Sequence, residues 1–286
     1  YLGITLGGGA AVWVYGQHGF EVALSYVSAL LFLNLLFVVF FVRDPLANPA
    51  AKRESDIVRK LIANMISFVK ITYVSFWQSG PGPKLGVAMA LLPCGAMALA
   101  YATLNTLQVD YGLVESQIAQ ANIYNTVAGG IGCLVVGWIG DRVGLKKTLA
   151  CAFVLTTVPT LFLASQISLH GLQAVPLATL FGVIIAHGLF FGMAFGVRPA
   201  IFMGMTNPAV AATQFTAFMG MGNLAISMGN YWQGIVAERY DYATVLVLDA
   251  LIVLIPLSLV PFLRNREPVE EPVTVGAELA YSAVRD

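Results

Sequence analysis

Between Thr148 and Ala164 no side chain carries a charge, and Ile118 to Ile139 is uncharged as well, so two long apolar stretches stand on either side of one short polar link. A helix needs about 20 such residues to cross the hydrocarbon layer, where every backbone N–H and C=O has to be bonded within the protein. Runs of this kind recur along the chain. Charged residues make up 10% of it against roughly 25% in soluble domains, and hydrophobic residues 58%, which excludes the one or two soluble domains that the length alone would allow. The expected class is a polytopic, all-α membrane protein. Its zero net charge carries no information about partners, and no basic cluster offers a nucleic-acid footprint. Cys94, Cys133 and Cys151 lie inside apolar runs without pairing or metal spacing and read as small packing residues; no metal or cofactor is expected.

The spans are expected at Gly3 to Gly16, Val22 to Val42, Leu85 to Gln108, Ser116 to Ile139, Thr148 to Ser165, Val175 to Val197 with an extension to Met205, Ala211 to Ala237, and Tyr242 to Leu263, eight helices in all. Tyr1 stands directly on Leu2-Gly3, so the chain is expected to open inside a helix, as a piece of a longer protein. Residues 43–84 change character: Lys52, Arg53, Arg59, Lys60 and Lys70 mix with Ile57, Leu61, Met65 and Phe68 at helical spacing, the pattern of an amphipathic helix on the cytoplasmic surface. The Pro/Glu-rich residues 264–286 read as a disordered cytoplasmic tail. With the Asp141 link inside, Arg43, the linker cations, Lys84, Arg142, Lys146, Lys147, Arg198, Arg264, Arg266 and Arg285 all fall on the cytoplasmic side. Arg239 alone falls outside, with Asp110, Glu115, Glu238 and Asp241.

The link itself reads Gly137-Trp-Ile-Gly-Asp141-Arg142-Val-Gly144-Leu-Lys146-Lys147. A positive-inside anchor is the plain reading. The pattern Gly-x-x-x-Asp-Arg-x-Gly-x-Lys-Lys nevertheless resembles the loop that major facilitator transporters carry between the second and third helices of each six-helix half, with Leu145 where the family often has a basic residue. That resemblance implies a major facilitator fold seen from its fifth helix to its twelfth. Residues 1–42 would be the last two helices of the N-terminal half, 43–84 the linker, and 85–263 the C-terminal six-helix bundle. It further implies that the helices starting at Leu85 and Val175 line a path for solute, that the halves rock about it, and that Gly137, Asp141, Arg142, Gly144, Lys146 and Lys147 act as a conformational latch.

Two shorter stretches, Gly3-Ile-Thr-Leu-Gly7-Gly8-Gly9-Ala-Ala-Val-Trp13 and Asn207-Pro-Ala-Val-Ala-Ala212-Thr213-Gln214-Phe215, resemble the muropeptide permease (AmpG) and acetyl-CoA transporter family. Its members are proton-driven importers of the bacterial inner membrane. The resemblance departs where those permeases carry an acid, a lysine and a glutamate, since this chain has Ala96, Asn122 and His187. The charges that would hold a muropeptide are not reproduced.

Polar side chains at membrane depth either glue helices together or line a wet path. Tyr101, Asn105 and Gln108 at i, i+4 and i+7 are expected to share one face, as are Asn122 and Asn125; with Gln214 they are the candidates for substrate contact. Gly188, Gly192, Gly196, Ala200 and Gly204 form a stripe suited to close helix packing. His187 and Asp249 are the candidate proton-coupling groups, His187 on a path-lining helix and Asp249 on an outer one, where it needs a partner such as the preceding helix. Arg198 beside Pro199 reads as an interfacial cation. Asn223, Asn230 and Gln233 add to an unusually polar eleventh helix.

The expected function is a secondary active transporter of a small solute, coupled to protons and working as a monomer in the bilayer. A drug or metabolite exporter of the same superfamily is the alternative within the class. A non-transporting sensor on the same scaffold and a membrane-embedded transferase are the alternatives outside it. The transferase would need a cluster of acid, base and nucleophile, and His18, His170 and His187 have no carboxylate at catalytic spacing.

Overall fold

The computed structural model describes residues 10–41 and 80–263, apart from 208–209, with short pieces at 6–7, 66, 69–70 and 72–78. Most of the linker, including its expected amphipathic helix, the tail, and much of the glycine-rich opening motif lie outside the described residues. Among the described residues the secondary structure is entirely helical, as α1 (Ala10–His18), α2 (Phe20–Phe41), α3 (Pro81–Ala90), α4 (Ala102–Tyr111), α5 (Glu115–Val143), α6 (Leu145–His170), α7 (Leu177–Met205), α8 (Ala211–Arg239), α9 (Tyr242–Ile252) and α10 (Leu254–Leu259), with 3-10 turns at Leu172–Ala174 and Val260–Phe262.

Among the described residues five segments are long and apolar enough to cross a membrane: Phe20–Phe41, Glu115–Val143, Leu145–His170, Leu177–Met205 and Tyr242–Phe262. The chain is a multi-pass membrane protein. Three of the eight expected spans are not among the five, each for its own reason. Only Ala10–His18 of the first is described as α-helix. The Ala211–Arg239 helix is long enough, but Gln214, Asn223, Asn230 and Gln233 dilute its hydropathy. The span expected from Leu85 to Gln108 is broken into two ten-residue halves, α3 and α4. α2 shows what the surroundings must be. It is apolar on every side and buries Ala23 alone, leaving Leu31, Phe32, Leu33, Phe40 and Phe41 exposed, a surface that only lipid or further protein can cover.

α5 and α6 form a hairpin on a single linking residue. Gly144 has φ of 94°, in the left-handed region, and its N–H closes α5 on the Gly140 carbonyl while its own carbonyl accepts from Thr148 N at 3.1 Å to open α6. Arg142 sits in the last turn of α5, where a cation opposes the negative end of the helix, and its guanidinium lies 3.7 Å from the centroid of the Trp138 ring. Asp141 and Arg142 are exposed. At 29 residues, α5 is about 43 Å long. The Asp141 turn therefore lies at the opposite end from Glu115, which packs beside Gly16 of α1. Asp110 joins that second end, accepting from the Tyr242 hydroxyl at 2.6 Å.

The closest helix pair is α5 with α7. A Cβ at Gly192 would fall on the Gly129 carbonyl, one at Gly132 on the Leu189 carbonyl, and one at Gly188 on Asn125. The upper part of the glycine stripe thus brings two backbones together, whereas Gly204 faces open space and Ala200 is exposed. Two apolar clusters fill the bundle. One gathers Met89, Cys94, Phe153, Phe202, Phe218 and Leu263, the other Leu99, Leu104, Leu163, Leu180, Ile184 and Leu246. They meet at the irregular backbone between α3 and α4.

Candidate functional site

The break begins with Pro93, which has no N–H for the Met89 carbonyl one turn earlier and whose ring crowds that carbonyl. Gly95 then takes φ of 84°, with the Thr156 Oγ1 only 2.7 Å from where a Cβ would stand, so glycine is required there. Eleven residues, 91–101, pass before α4 starts. Irregular backbone at membrane depth persists only where protein satisfies its polar groups, and here buried side chains from three helices do so.

Arg198 of α7 supplies the first group. It is 7% exposed, and its guanidinium donates to the carbonyls of Met89 at 2.7 Å, Ala90 at 3.0 Å and Leu92 at 3.0 Å. The expectation of an interfacial, snorkelling arginine is corrected: the side chain is buried and caps the broken end of α3, against Gly222 of α8 and with its charge 5.1 Å from the Phe202 ring. Next, Thr156 of α6 accepts from Ala96 N at 2.9 Å and donates to its own Phe153 carbonyl at 2.7 Å. The Ala96 carbonyl bonds to His187 Nε2 at 2.9 Å. A carbonyl only accepts, so Nε2 carries the proton, and His187 Nδ1 is left buried without a partner. Finally Ala98 N donates to Asp249 Oδ2 at 2.9 Å, Gln233 Nε2 donates to Asp249 Oδ1 at 2.8 Å, and Thr103 Oγ1 donates to Gln233 Oε1 at 2.8 Å. Asp249 is therefore not remote from the expected path. It is 2% exposed and tied to the broken helix.

The two buried charges answer the two helix ends. Arg198⁺ meets the carbonyl end of α3 and Asp249⁻ meets the N–H groups leading into α4, each sign opposing the local dipole. Neither charge is neutralised by direct contact with the other; the peptide groups between them carry the compensation.

Beside the break lies a cavity of about 120 Å³ lined by Tyr101, Asn125, Thr126, Gly188, Phe191 and Phe195. Phe191 stands edge-on to Tyr101 at 5.8 Å between ring centroids and stacks on His187 at 5.7 Å and on Phe195 at 6.2 Å.

The structure brings some expected site residues together and separates others. Tyr101 and Asn125 meet in the cavity. The trio of Tyr101, Asn105 and Gln108 does not share a face, because α4 starts only at Ala102 and Tyr101 belongs to the irregular segment. Gln108 is buried and reaches Asn122 Oδ1 at 3.4 Å, while Asn105 is exposed at a surface cleft with Asp110, Glu238 and Tyr242. Gln214 is fully buried elsewhere, its Oε1 accepting from Asn207 N at 2.5 Å and so holding the turn before α8. Asn223 is exposed. The latch residues Gly137, Asp141, Arg142, Gly144, Lys146 and Lys147 lie at the end of α5 and start of α6. Sequence reasoning missed Thr156, Phe191 and Phe195 and misread Arg198, and it named Gln233 only as part of a polar helix although that residue is the partner expected for Asp249 on the preceding helix. Pro93-Cys-Gly95 in mid-span was the legible sign of the break. Among the described residues no group of three His, Cys, Asp or Glu side chains is placed to hold a metal.

Residues 85–286 match the family described as Major Facilitator Superfamily. No curated protein matches the chain.

Proposed function

Because the chain belongs to the major facilitator superfamily, a family of membrane transporters, we propose that it is a secondary active transporter of a small solute, coupled to protons by alternating access. In this reading it is an AmpG-like importer of the bacterial inner membrane, and the solute meets the cavity beside Tyr101 and Asn125. The observation that carries the reading is the interrupted helix Pro81–Tyr111, whose irregular segment is held by Arg198, Thr156, His187 and Asp249 from three different helices. A continuous helix would be a rigid strut. Two half-helices joined by a clamped, unwound segment can bend at the cavity and keep every polar group bonded.

His187 is the proton-sensitive group in this proposal. Its Nδ1 has an unused lone pair, so a proton adds there without displacing a donor, whereas both oxygens of Asp249 already accept hydrogen bonds. A charged imidazolium beside Gly188 would press on the cavity wall and on the Ala96 peptide at once. The exposed Asp141 turn serves as the latch at the cytoplasmic end, and Gln214 shapes the entrance to α8 without touching solute.

The test is the full chain in proteoliposomes with a pH-sensitive dye trapped inside, challenged with a panel of small solutes. Solute-driven proton entry is expected, with a pH profile flattened by His187→Gln and retained by Asp249→Asn variants that insert normally. Solute binding without proton entry or uptake would make the protein a sensor. A flattened profile in the Asp249 variant alone would move the coupling role to that residue.

A further inference from the structure

The cavity at the helix break has a definite chemical character. Its walls are the rings of Tyr101, Phe191 and Phe195 and the Cα of Gly188, and among the described residues no charged side chain lines it. Its volume of about 120 Å³ is close to that of an apolar cavity of about 150 Å³ that accepts benzene, so it suits one six-membered ring. Besides Thr126, two polar side chains line that space, Tyr101 with its hydroxyl and Asn125. Asn125 Oδ1 is buried against the Cα of Gly188 with no hydrogen-bond partner, which turns the N–H side of the amide towards the cavity. Thr126 spends its proton on the Asn122 carbonyl at 2.8 Å. The donors offered to a ligand are therefore the Asn125 amide and the Tyr101 hydroxyl, and an acceptor suits both.

Charge is disfavoured on both signs. The positive end of α4 opens beside Tyr101, but Asp249 already accepts from Ala98 at the approach to it. Arg198, one turn beyond Phe195 on α7, does not line the cavity, and its Nη2 is committed to Met89, Ala90 and Leu92. An ionised ligand would enter with no counter-charge on the wall, and an unpaired buried charge costs far more than a neutral acceptor.

Resting on the transporter reading, we propose that the substrate class is an uncharged aromatic compound carrying a carbonyl acceptor, its ring between Tyr101, Phe191 and Phe195 and its oxygen on the Asn125 amide. Charged sugar-peptides are outside that class.

The experiment is a fluorine NMR titration of the purified full chain in detergent, with empty micelles subtracted, using para-fluorobenzamide, para-fluorotoluene and para-fluorobenzoate. These probes share size and ring and differ in acceptor and charge. The benzamide is expected to bind saturably and about tenfold more tightly than the toluene, the effect of one net hydrogen bond, and the benzoate at least as weakly as the toluene. Asn125→Leu is expected to cut the preference for benzamide over toluene, and Ala100→Leu, at another residue of the cavity wall and so filling it, to abolish binding of both. Benzoate binding as tightly as benzamide, equal affinity for benzamide and toluene, or no saturable binding by the wild-type chain would each overturn the inference. Solute-driven proton entry without aromatic binding would sink this inference and leave the transporter standing. Aromatic binding of the expected selectivity without any proton entry would do the reverse.

Discussion

Replacing Arg198 by leucine tests whether a buried cation holds the helix break or merely rests near it. The Arg198 Nη2, which carries two protons, reaches the Met89, Ala90 and Leu92 carbonyls at 2.7, 3.0 and 3.0 Å, so one proton is shared between two acceptors. At about 1.5–3 kcal/mol for each of two charge-assisted bonds they amount to roughly 3–6 kcal/mol. Against this stands the cost of a charge at membrane depth, about 2.5–3.5 kcal/mol, which leucine relieves. The balance is a net loss of up to about 3.5 kcal/mol. The three carbonyls cannot simply re-enter a helix: the residue four on from Met89 is Pro93, which has no N–H, and the one four on from Leu92 is Ala96, whose N–H already serves Thr156. Unfolding of the full chain by SDS in mixed micelles, followed by far-ultraviolet circular dichroism, is expected to shift to lower SDS for Arg198→Leu. Arg198→Lys should fall between, since an ammonium keeps the charge but is more strongly hydrated than a guanidinium and costs more to bury. An unchanged or higher midpoint for the leucine variant would refute the clamp and return Arg198 to a peripheral cation.

Other outcomes follow from the same geometry. Gly192→Ala places a methyl on the Gly129 backbone, which cannot rotate away, and should cost about 1–3 kcal/mol by overpacking, whereas Gly204→Ala, facing open space, should be silent in the same SDS titration. Asp241 caps α9, accepting from Thr244 N at 2.7 Å, and the Thr244 side chain and backbone N–H hold its carboxyl below the ordinary range. A lowered folded value means that the cap's contribution is present above the unfolded carboxylate pKa and is lost as pH falls through the folded one. Asp241→Ala should therefore cost about 1 kcal/mol at neutral pH and nothing in strong acid, seen as converging SDS midpoints. Asp141 lies in the last turn of α5, where an acid opposes the helix dipole, so Asp141→Ala should leave stability unchanged or slightly raised while lowering solute-driven proton entry; unaltered entry at normal expression would reduce the turn to an anchor.

The sequence by itself determined the class of structure, because the bilayer leaves so few options. Uncharged runs such as Thr148 to Ala164 must be helices, and the Gly-Asp-Arg-Gly link between two of them carried the resemblance to the superfamily that the match over residues 85–286 establishes. Local chemistry also fixed the one-residue turn at Gly144 and the close packing at Gly188 and Gly192. Tertiary structure alone decided what the buried polar residues do. Helical phase placed Tyr101 with Asn105 and Gln108, but phase holds only within one continuous helix, and the break at residues 91–101 discards it. Arg198, Thr156, His187 and Asp249 stand far apart in sequence, and there Arg198 reads as a surface cation, His187 and Asp249 as candidate titrating groups, and Thr156 as one more residue of an uncharged run. They converge because an unwound segment in a dry interior exposes peptide donors and acceptors that must be paired, and which side chains pair with them depends on how three helices pack around it.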